Sequence, residues 1–298
     1  MGTFLADHFF GLMSCANIVS IVIAVWMYLV PFGGVTEASR LVIQYDTRSK
    51  MEQFWMGRVL HPRVASLRDL DLKFFFEGRP GLVMWVAMNA SFAVSQSEKF
   101  GSVGVELVCV MVFQGLFVLD YYLFEDAILT TKDILDERFG FMMVWGDLVF
   151  VPFFFSIQCH TLSLSRPLAL PWPLLILAFS ISALGLVLFR LVNGQKHAFM
   201  SEQRRREGGK GGRKELVLST GYWGWSRHPN YAADILQTFG WSLFCGVSNG
   251  WGWLYLPYLV VVFVHRERRD DALCARKFGA EWERHRANVP WRIFRGIY

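Results

Sequence analysis

Seven apolar runs, several of them nearly long enough to cross a bilayer, constrain this chain more than any other feature of its sequence. A helix needs roughly 20 predominantly apolar residues to span the hydrocarbon core of a membrane. The composition agrees, because 53% of the 298 residues are hydrophobic and 27 are Phe. We therefore predict an all-α fold, a polytopic transmembrane helical bundle of about seven spans with a cytoplasmic C-terminal amphipathic tail. The predicted spans are 8–31, 79–99, 104–124, 139–163, 170–192, 231–248 and 251–265.

The distribution of basic residues orients these spans. Nearly all Lys and Arg lie in the connectors 40–78, 125–138 and 193–222 and in the tail 266–298, whereas the connectors on the other side hold only Lys99 and Arg166. The connector 125–138 is acidic by count, but acidic residues contribute little to the orientation of a membrane protein. This bias follows the positive-inside rule, so we place the 193–222 connector and the tail on the cytoplasmic side.

Cysteine and glycine patterns argue against several other classes of site. The five cysteines show no paired spacing and lie in or beside apolar runs, so we expect no disulfide framework, no zinc cluster and no metal. We expect the 193–222 loop to be mobile, and its run Gly208–Gly212 lacks the spacing and the preceding strand of a phosphate-binding or dinucleotide-binding loop. The neighbouring Arg204–Arg206 run has two open interpretations, attraction to anionic lipid headgroups and a specific binding role.

The stretch Gly221–Tyr231 has the sequence GYWGWSRHPNY and joins a charged loop to an apolar run. Its two Trp suit the headgroup region, and Pro229 suits the first turn of a helix. Arg227 and His228 then lie just outside the hydrocarbon, where a helix N-terminus flanked by Arg binds anionic groups such as phosphates. An interfacial anchor without a binding role explains the same residues equally well.

Carboxylates at membrane depth are the more informative charges. Asp120, Asp147 and Asp234 lie within or at the edge of apolar runs, where each costs at least about 2.5–3.5 kcal/mol and normally faces a cavity or a partner. For Asp147, a clamp between helices and a catalytic role are equally good explanations. Asp120 precedes Tyr121 and a second Tyr, so it is better placed for proton transfer.

The tail carries the densest charged sequence. Asp270, Cys274 and Lys277 fall on one face of a predicted helix. A solvated amphipathic helix accounts for most of these charges. It accounts less well for Asp270, which lies one turn beyond the predicted last span.

Taken together, these segments resemble the membrane sterol reductases, the family that includes Δ14-sterol reductase, Δ7-dehydrocholesterol reductase and the lamin B receptor. The Δ14 branch is the most similar. The similar segments occur in the same order along the chain and are GRVLHPR (57–63), LK to RPG (72–81), ILTTKDI (128–134), FGFM to WGD (139–147), NGQK (193–196), the 221–231 stretch, HRERRDD (265–271), Cys274–Gly279, and VPWR to GIY (289–298).

This resemblance implies a multi-pass endoplasmic-reticulum enzyme of sterol biosynthesis that reduces a sterol double bond with NADPH. An acid protonates one alkene carbon, and hydride then adds to the neighbouring carbon. Residues 1–192 would form the sterol-side bundle and 193–298 the NADPH-binding region. The implied partners are the sterol and membrane lipid, with no nucleic acid and no obligate protein partner. Asp270 would help to set up the proton, and the residues implied to line the NADPH pocket are Lys196, Leu218, Trp223, Asn230, Tyr231, Asp270, Cys274, Arg276, Lys277 and Phe278, to which the sequence adds Arg227.

The chain departs from its family at several positions. Relatives usually carry further N-terminal spans, so we expect this chain to be N-terminally short. A Tyr that donates the proton in relatives aligns with Phe117, and we predict that Tyr121, one helical turn further on, replaces it. The remaining departures are Val59 and His61 in place of Glu and Asn, Met200 in place of Arg, and His285 in place of Tyr.

Two other functions remain open at this point. Isoprenylcysteine-type membrane methyltransferases share an Arg-His-Pro-x-Tyr entry and a pair of short spans, but they bind S-adenosylmethionine, and their resemblance covers only the C-terminal third. The second alternative is a sterol-binding scaffold that kept the fold and lost the acid.

Overall fold

The computed structural model describes residues 2–29, 48–64, 70–129, 131, 134, 137–207 and 217–298, without the side chains of Arg204, Arg206 and Glu207. The glycine run that we expected to be mobile therefore lies outside the described residues, as do parts of the 40–78 connector and of the 128–134 motif. The described residues are mostly helical, and they include one short antiparallel pair of strands.

The chain forms two compact units, Met1–Leu168 and Ala169–Tyr298. The elements of the first are α1 Phe4–Asp7, α2 Phe9–Leu29, α3 Lys50–Met56, β1 Arg63–Val64, β2 Leu70–Asp71, α4 Leu72–Gly78, α5 Pro80–Phe100, α6 Val105–Leu123, α7 Glu125–Ile128, α8 Phe141–Trp145, a π-helix Gly146–Phe154, and α9 Ile157–Ser163. Those of the second are α10 Trp172–Glu207, a 3₁₀ turn Gly221–Gly224, α11 Pro229–Phe244, a 3₁₀ turn Gly250–Trp253, α12 Tyr255–Phe278 and α13 Ala280–Asn288. We predicted a boundary after residue 192 between a sterol-side bundle and a cofactor-binding region. This boundary concerns function, and it stays a prediction.

Four helical segments of the described chain are long and apolar enough to cross a membrane, which identifies a membrane protein. They are Phe9–Leu29, Val105–Leu123, Phe141–Ser163 and Trp172–Gln203, and each corresponds to a predicted span. The other three predicted spans are also helical, in α5, α11 and α12. Helix α11 has 16 residues, about 24 Å at 1.5 Å per residue, against a hydrocarbon core of about 30 Å. The full count of seven therefore stays a prediction.

Two helices extend beyond the limits that we predicted. Helix α10 continues to Glu207, so the first half of the predicted 193–222 connector is helical. Its residues after 192 are mostly good helix formers, and Gly194 alone is too weak a breaker to end the helix. Helix α12 runs without interruption from the apolar Tyr255 to Phe278, so the predicted last span and the start of the tail are one element. It ends at Gly279, whose φ of 53° favours glycine.

The π-helix was not anticipated from the sequence. It occupies nine residues in the middle of a predicted span and contains Pro152, which cannot donate a backbone hydrogen bond. The hydroxyl of Ser156 donates to the carbonyl of Pro152 at 2.6 Å. Such segments are rare and frequently occur at functional sites. Here the π-helix carries Asp147 in its first turn.

A buried amide links three helical segments of the first unit. The Oε1 atom of Gln114 on α6 accepts from Trp85 Nε1 at 3.1 Å and from Asn89 Nδ2 at 2.7 Å, both on α5. Its Nε2 atom donates to Gln158 Oε1 on α9 at 3.0 Å. Interhelical hydrogen bonds of this kind hold membrane helices together where no difference in hydrophobicity drives their association.

The second unit is built on close contact between α10 and α11. A side chain at Gly185 would overlap the backbone of Gln237, and one at Gly240 would overlap Ser182. Small residues therefore bring the two backbones together, as is common between membrane helices. Pro229 occupies the first turn of α11 as predicted, and Pro80 does the same in α5.

Candidate functional site

The Gln195 side chain of α10 makes two hydrogen bonds to the turn that precedes α11. Gln195 Nε2 donates to the Thr220 carbonyl at 2.9 Å, and Gln195 Oε1 accepts from the Tyr222 backbone N–H at 3.0 Å. Gly221 lies between them with a φ of 61°, and a Cβ there would overlap the Gln195 amide. Only glycine fits this position without strain.

Two residues implied to bind the cofactor meet beside this turn. Trp223 is 9% exposed, and its Nε1 atom donates to the Val192 carbonyl on α10 at 3.1 Å. The Lys196 ammonium lies 5.5 Å from the centre of the Trp223 ring. Trp225, in contrast, is 54% exposed, so of the two Trp only this one is free to anchor at the headgroup region. Leu218 lies half-buried just before the turn.

Arg227 has a partner within the protein. Its guanidinium is buried and pairs with Asp271 on α12 at 2.5 Å. Burial lowers the pKa of this guanidinium, and Asp271 opposes that shift. Asp271 also accepts from Trp282 Nε1 at 3.0 Å and from Arg286 at 3.3 Å. The structure thus shows the Arg227 charge balanced by the Asp271 carboxylate. A contact between Arg227 and a phosphate stays a prediction.

The last ten residues, 289–298, form a C-terminal hook that holds the same entry segment. The backbone N–H groups of Arg227 and His228 donate to the carbonyls of Trp291 and Arg292, each at 2.9 Å. The chain then turns back, so that the Arg292 N–H donates to the Tyr298 carbonyl at 2.8 Å. These bonds fix the position from which α11 begins.

The first turn of α11 presents an aromatic face and an amide. The Tyr231 ring is stacked between His228, 4.8 Å away, and Phe263, 4.3 Å away. The Asn230 Oδ1 atom is buried and has no hydrogen-bond partner among the residues that the structure describes. A buried acceptor without a partner costs about 1–3 kcal/mol, so it is a position where a ligand donor stabilises the fold.

Helix α12 carries the remaining residues implied to bind the cofactor. Asp270 is 5% exposed, and Cys274 is half-buried one turn further along. Arg276 and Lys277 are exposed near the helix end, where the Lys277 ammonium lies 5.4 Å from the Phe278 ring centre. Asp270, Cys274 and Lys277 all lie in helix α12, which confirms the predicted helical spacing of these three residues.

The donor set of this second unit fits a phosphate-bearing dinucleotide. Lys196, Arg276 and Lys277 are cationic groups of the kind that pair with phosphate oxygens, and the Asn230 oxygen is a buried acceptor with no partner among the described residues. No group of three or more His, Cys, Asp or Glu within the described ranges is arranged to hold a metal ion.

The predicted proton donor, Tyr121, lies in the first unit on α6. Its hydroxyl is buried, has no hydrogen-bond partner within the described part of the chain, and lies 3.1 Å from the place where a Cβ of Gly78 would be. The charges of Glu77 and Asp147 are close enough to act on this phenol. Phe117, one turn earlier on α6, lies beside the Trp85 ring at 6.1 Å. The π-helix therefore brings Asp147 towards the tyrosine, a proximity that the sequence did not indicate.

Sequence reasoning missed several residues that organise the second unit. Gln195, Glu267, Arg292 and Tyr298 lie in or near segments that we used only for the resemblance. An amide directly before the implied cofactor residue Lys196 was the available signal for Gln195. For the other three residues, no local pattern indicates that they meet.

Known proteins of sterol biosynthesis are similar to this chain. The chain matches the ergosterol biosynthesis ERG4/ERG24 family over residues 2–298. It is 36% identical over 302 residues to the Delta(14)-sterol reductase of Methylotuvimicrobium alcaliphilum, which covers 99% of this chain and 68% of the relative. It is 37% identical over 272 residues to the Delta(14)-sterol reductase of Mus musculus, and this match covers 89% of this chain and 63% of the relative. It is 35% identical over 306 residues to the Delta(14)-sterol reductase of Dictyostelium discoideum, and this match covers 99% of this chain and 64% of the relative.

This chain therefore spans about two thirds of the length of these relatives. The match nevertheless extends through both of its units and through every segment that carried the resemblance. On that ground the chain belongs to the ergosterol biosynthesis ERG4/ERG24 family.

Proposed function

We propose that this chain is an NADPH-dependent sterol reductase that reduces the Δ14 double bond of a sterol in the endoplasmic-reticulum membrane. The observation that carries the proposal is identity of 35–36% to Delta(14)-sterol reductases across 99% of the chain. The proposed topology has seven spans and a cytoplasmic tail, and the proposed partners are the sterol and membrane lipid.

The second unit supplies the cofactor-binding residues in this proposal. When bound, NADPH supplies a hydride for the sterol carbon next to the protonated one. In this proposal cationic side chains bind its phosphates, and the buried Asn230 oxygen accepts a hydrogen bond from it. The residues assigned to this role are Lys196, Leu218, Trp223, Arg227, Asn230, Tyr231, Asp270, Cys274, Arg276, Lys277 and Phe278.

The proton donor in this proposal is Tyr121, and a role of Asp270 in catalysis stays a separate prediction. A phenol is a neutral donor that transfers a proton without first burying a charge, and a positioned acid contributes typically about 10²–10⁴-fold to a rate. Phe117 has no proton to donate, so the family position cannot perform this step here. Support for Tyr121 comes from its buried hydroxyl, which has no partner among the described residues.

The alternatives have less support. A methyltransferase resemblance covers only the C-terminal third, whereas the reductase family matches residues 2–298. A sterol-binding scaffold shares the match and differs only in turnover.

Sterol profiling tests the proposal directly. Cells that lack Δ14-reductase accumulate Δ14-unsaturated sterols, and expression of this chain should convert them to the reduced products. Calorimetry in detergent should show tighter binding of NADPH than of S-adenosylmethionine. The reverse order of affinity excludes the reductase, and NADPH binding without conversion supports the scaffold.

A further inference from the structure

We propose that Gln195 is a positioning residue for cofactor binding, and that it acts by fixing Trp223 and Lys196 against each other. The inference rests on the proposed function. It concerns only contacts within the second unit. The pair of hydrogen bonds that Gln195 makes to residues 220 and 222 is called the amide clamp below.

The chemistry of the clamp requires an amide. The clamp must donate to the Thr220 carbonyl and accept from the Tyr222 N–H with the two ends of one side chain. A carboxylate offers no donor, an ammonium offers no acceptor, and Asn is one methylene shorter. Gln195 is therefore matched to a turn whose central residue, Gly221, leaves room for the amide.

The clamp has a second attachment close by on α10. Val192 accepts from Trp223 Nε1 at 3.1 Å, and Lys196 lies over the same ring at 5.5 Å. Positions 192, 195 and 196 are spaced i, i+3 and i+4, so they lie on one face of the helix. One helical face thus holds the turn at both ends and carries the cation that lies over its tryptophan.

This arrangement predicts a specific consequence for binding. Without the clamp, the turn loses the hydrogen bonds that Gln195 makes to Thr220 and Tyr222, whereas the bond from Trp223 to the Val192 carbonyl is kept. The Trp223 ring then no longer has a fixed position beside the Lys196 ammonium. The clamp is at the surface, where Thr220 and Tyr222 can bond to water instead, so its loss should change global stability little. Cofactor affinity should fall because the binding groups are no longer pre-organised.

The test measures NADPH dissociation constants by calorimetry in detergent for Gln195→Met, with thermal unfolding of each variant as a second readout. We expect binding about five- to tenfold weaker, the size of a lost cation–π and ordering contribution, with little change in Tm. Gln96→Met is the matched control. Gln96 makes a similar clamp in the first unit, to the Leu162 carbonyl at 2.8 Å and from the Gly104 N–H at 2.8 Å. Its loss should lower Tm and leave the dissociation constant unchanged.

A double variant distinguishes positioning from a general structural effect. If Gln195 acts through Lys196, then Gln195→Met should weaken binding much less in a Lys196→Met background than in the wild type. Fully multiplicative losses overturn the proposal, as does unchanged affinity of Gln195→Met. If the wild-type chain binds no NADPH, the proposed function and this inference both fail. If it binds NADPH and Gln195→Met binds equally well, only this inference fails.

Discussion

Arg292 and Glu267 form an ion pair in which only one partner is in contact with water. Arg292 Nη1 lies 2.8 Å from Glu267 Oε2, and the Glu267 side chain has no exposed surface whereas that of Arg292 is 34% exposed. The Tyr298 hydroxyl donates to the same carboxylate oxygen at 3.3 Å. This pair attaches the C-terminal hook to α12, and the hook in turn holds the entry to α11.

Removal of Arg292 should loosen the hook. Among the described residues, Arg292→Leu leaves the Tyr298 hydroxyl as the hydrogen-bond donor to the buried Glu267 carboxylate. We expect a loss of about 2–3 kcal/mol, less than for a fully buried pair because Arg292 is partly exposed. Thermal unfolding in detergent measures this loss. Arg295→Leu, an exposed Arg in the same hook, is the control and should cost little. Equal losses for both variants would mean that the ion pair does not hold the hook.

Acid should destabilise the second unit through His285. This side chain is 6% exposed, and burial lowers its pKa, with the nearby Arg227 charge adding to the effect. The unfolded chain, with a His pKa near about 6.5, then binds the proton more readily than the folded chain, so stability falls as the pH drops below that value. We expect Tm to decrease from about pH 7 towards pH 5, and His285→Phe to reduce this slope.

The family's usual residue at this position provides a second check on the His285 prediction. His285→Tyr does not titrate in this range and should also show the smaller slope. A slope unchanged in both variants would assign the acid sensitivity to other groups.

Loss of the Tyr121 hydroxyl should abolish most turnover. Tyr121→Phe removes only one oxygen that has no partner in the described structure, so we expect a rate at least about 100-fold lower with preserved stability. Sterol reduction by the purified variant, measured with NADPH in excess, gives this rate. Tyr122→Phe is the control, because that hydroxyl donates to the Gly78 carbonyl at 2.7 Å and its loss should affect stability rather than turnover.

Two results would contradict the Tyr121 assignment. An undiminished rate for Tyr121→Phe excludes it as the donor. A higher rate for Phe117→Tyr than for the wild type indicates that the family position still performs the step best.

The three-arginine run should favour NADPH over NADH. Met200 occupies the place of a family Arg, and Arg205, the described member of the run, is exposed at the end of α10. A charge-assisted contact to the extra phosphate of NADPH contributes about 1.5–3 kcal/mol. Changing Arg204, Arg205 and Arg206 together to Gln should therefore weaken NADPH far more than NADH in binding titrations. Equal weakening of both cofactors contradicts a contact to the extra phosphate, and unchanged affinity for both indicates that the run contacts lipid only.

The sequence by itself determined the features that depend on a chain segment and its solvent. Four apolar runs are candidate spans because transfer to lipid depends on composition over about 20 residues. Pro80 and Pro229 begin helices because the missing N–H and fixed φ of proline suit a first turn. Family membership also followed from the sequence, because the similar motifs keep their order along the whole chain.

Only the tertiary structure decided which side chains meet. Arg227 pairs with Asp271, 44 residues away in the chain, and the sequence did not indicate this partner. The Gln195 clamp and the Arg292–Glu267 pair likewise join residues that are distant in sequence, and no local periodicity encodes such partners. The π-helix at Asp147 is also a property of packing, since Pro152 permits several irregular helices and neighbouring segments select one of them. Local composition thus predicts which segments of the chain are candidate membrane spans. Which residue neutralises a buried charge depends instead on the partner that folding brings next to it.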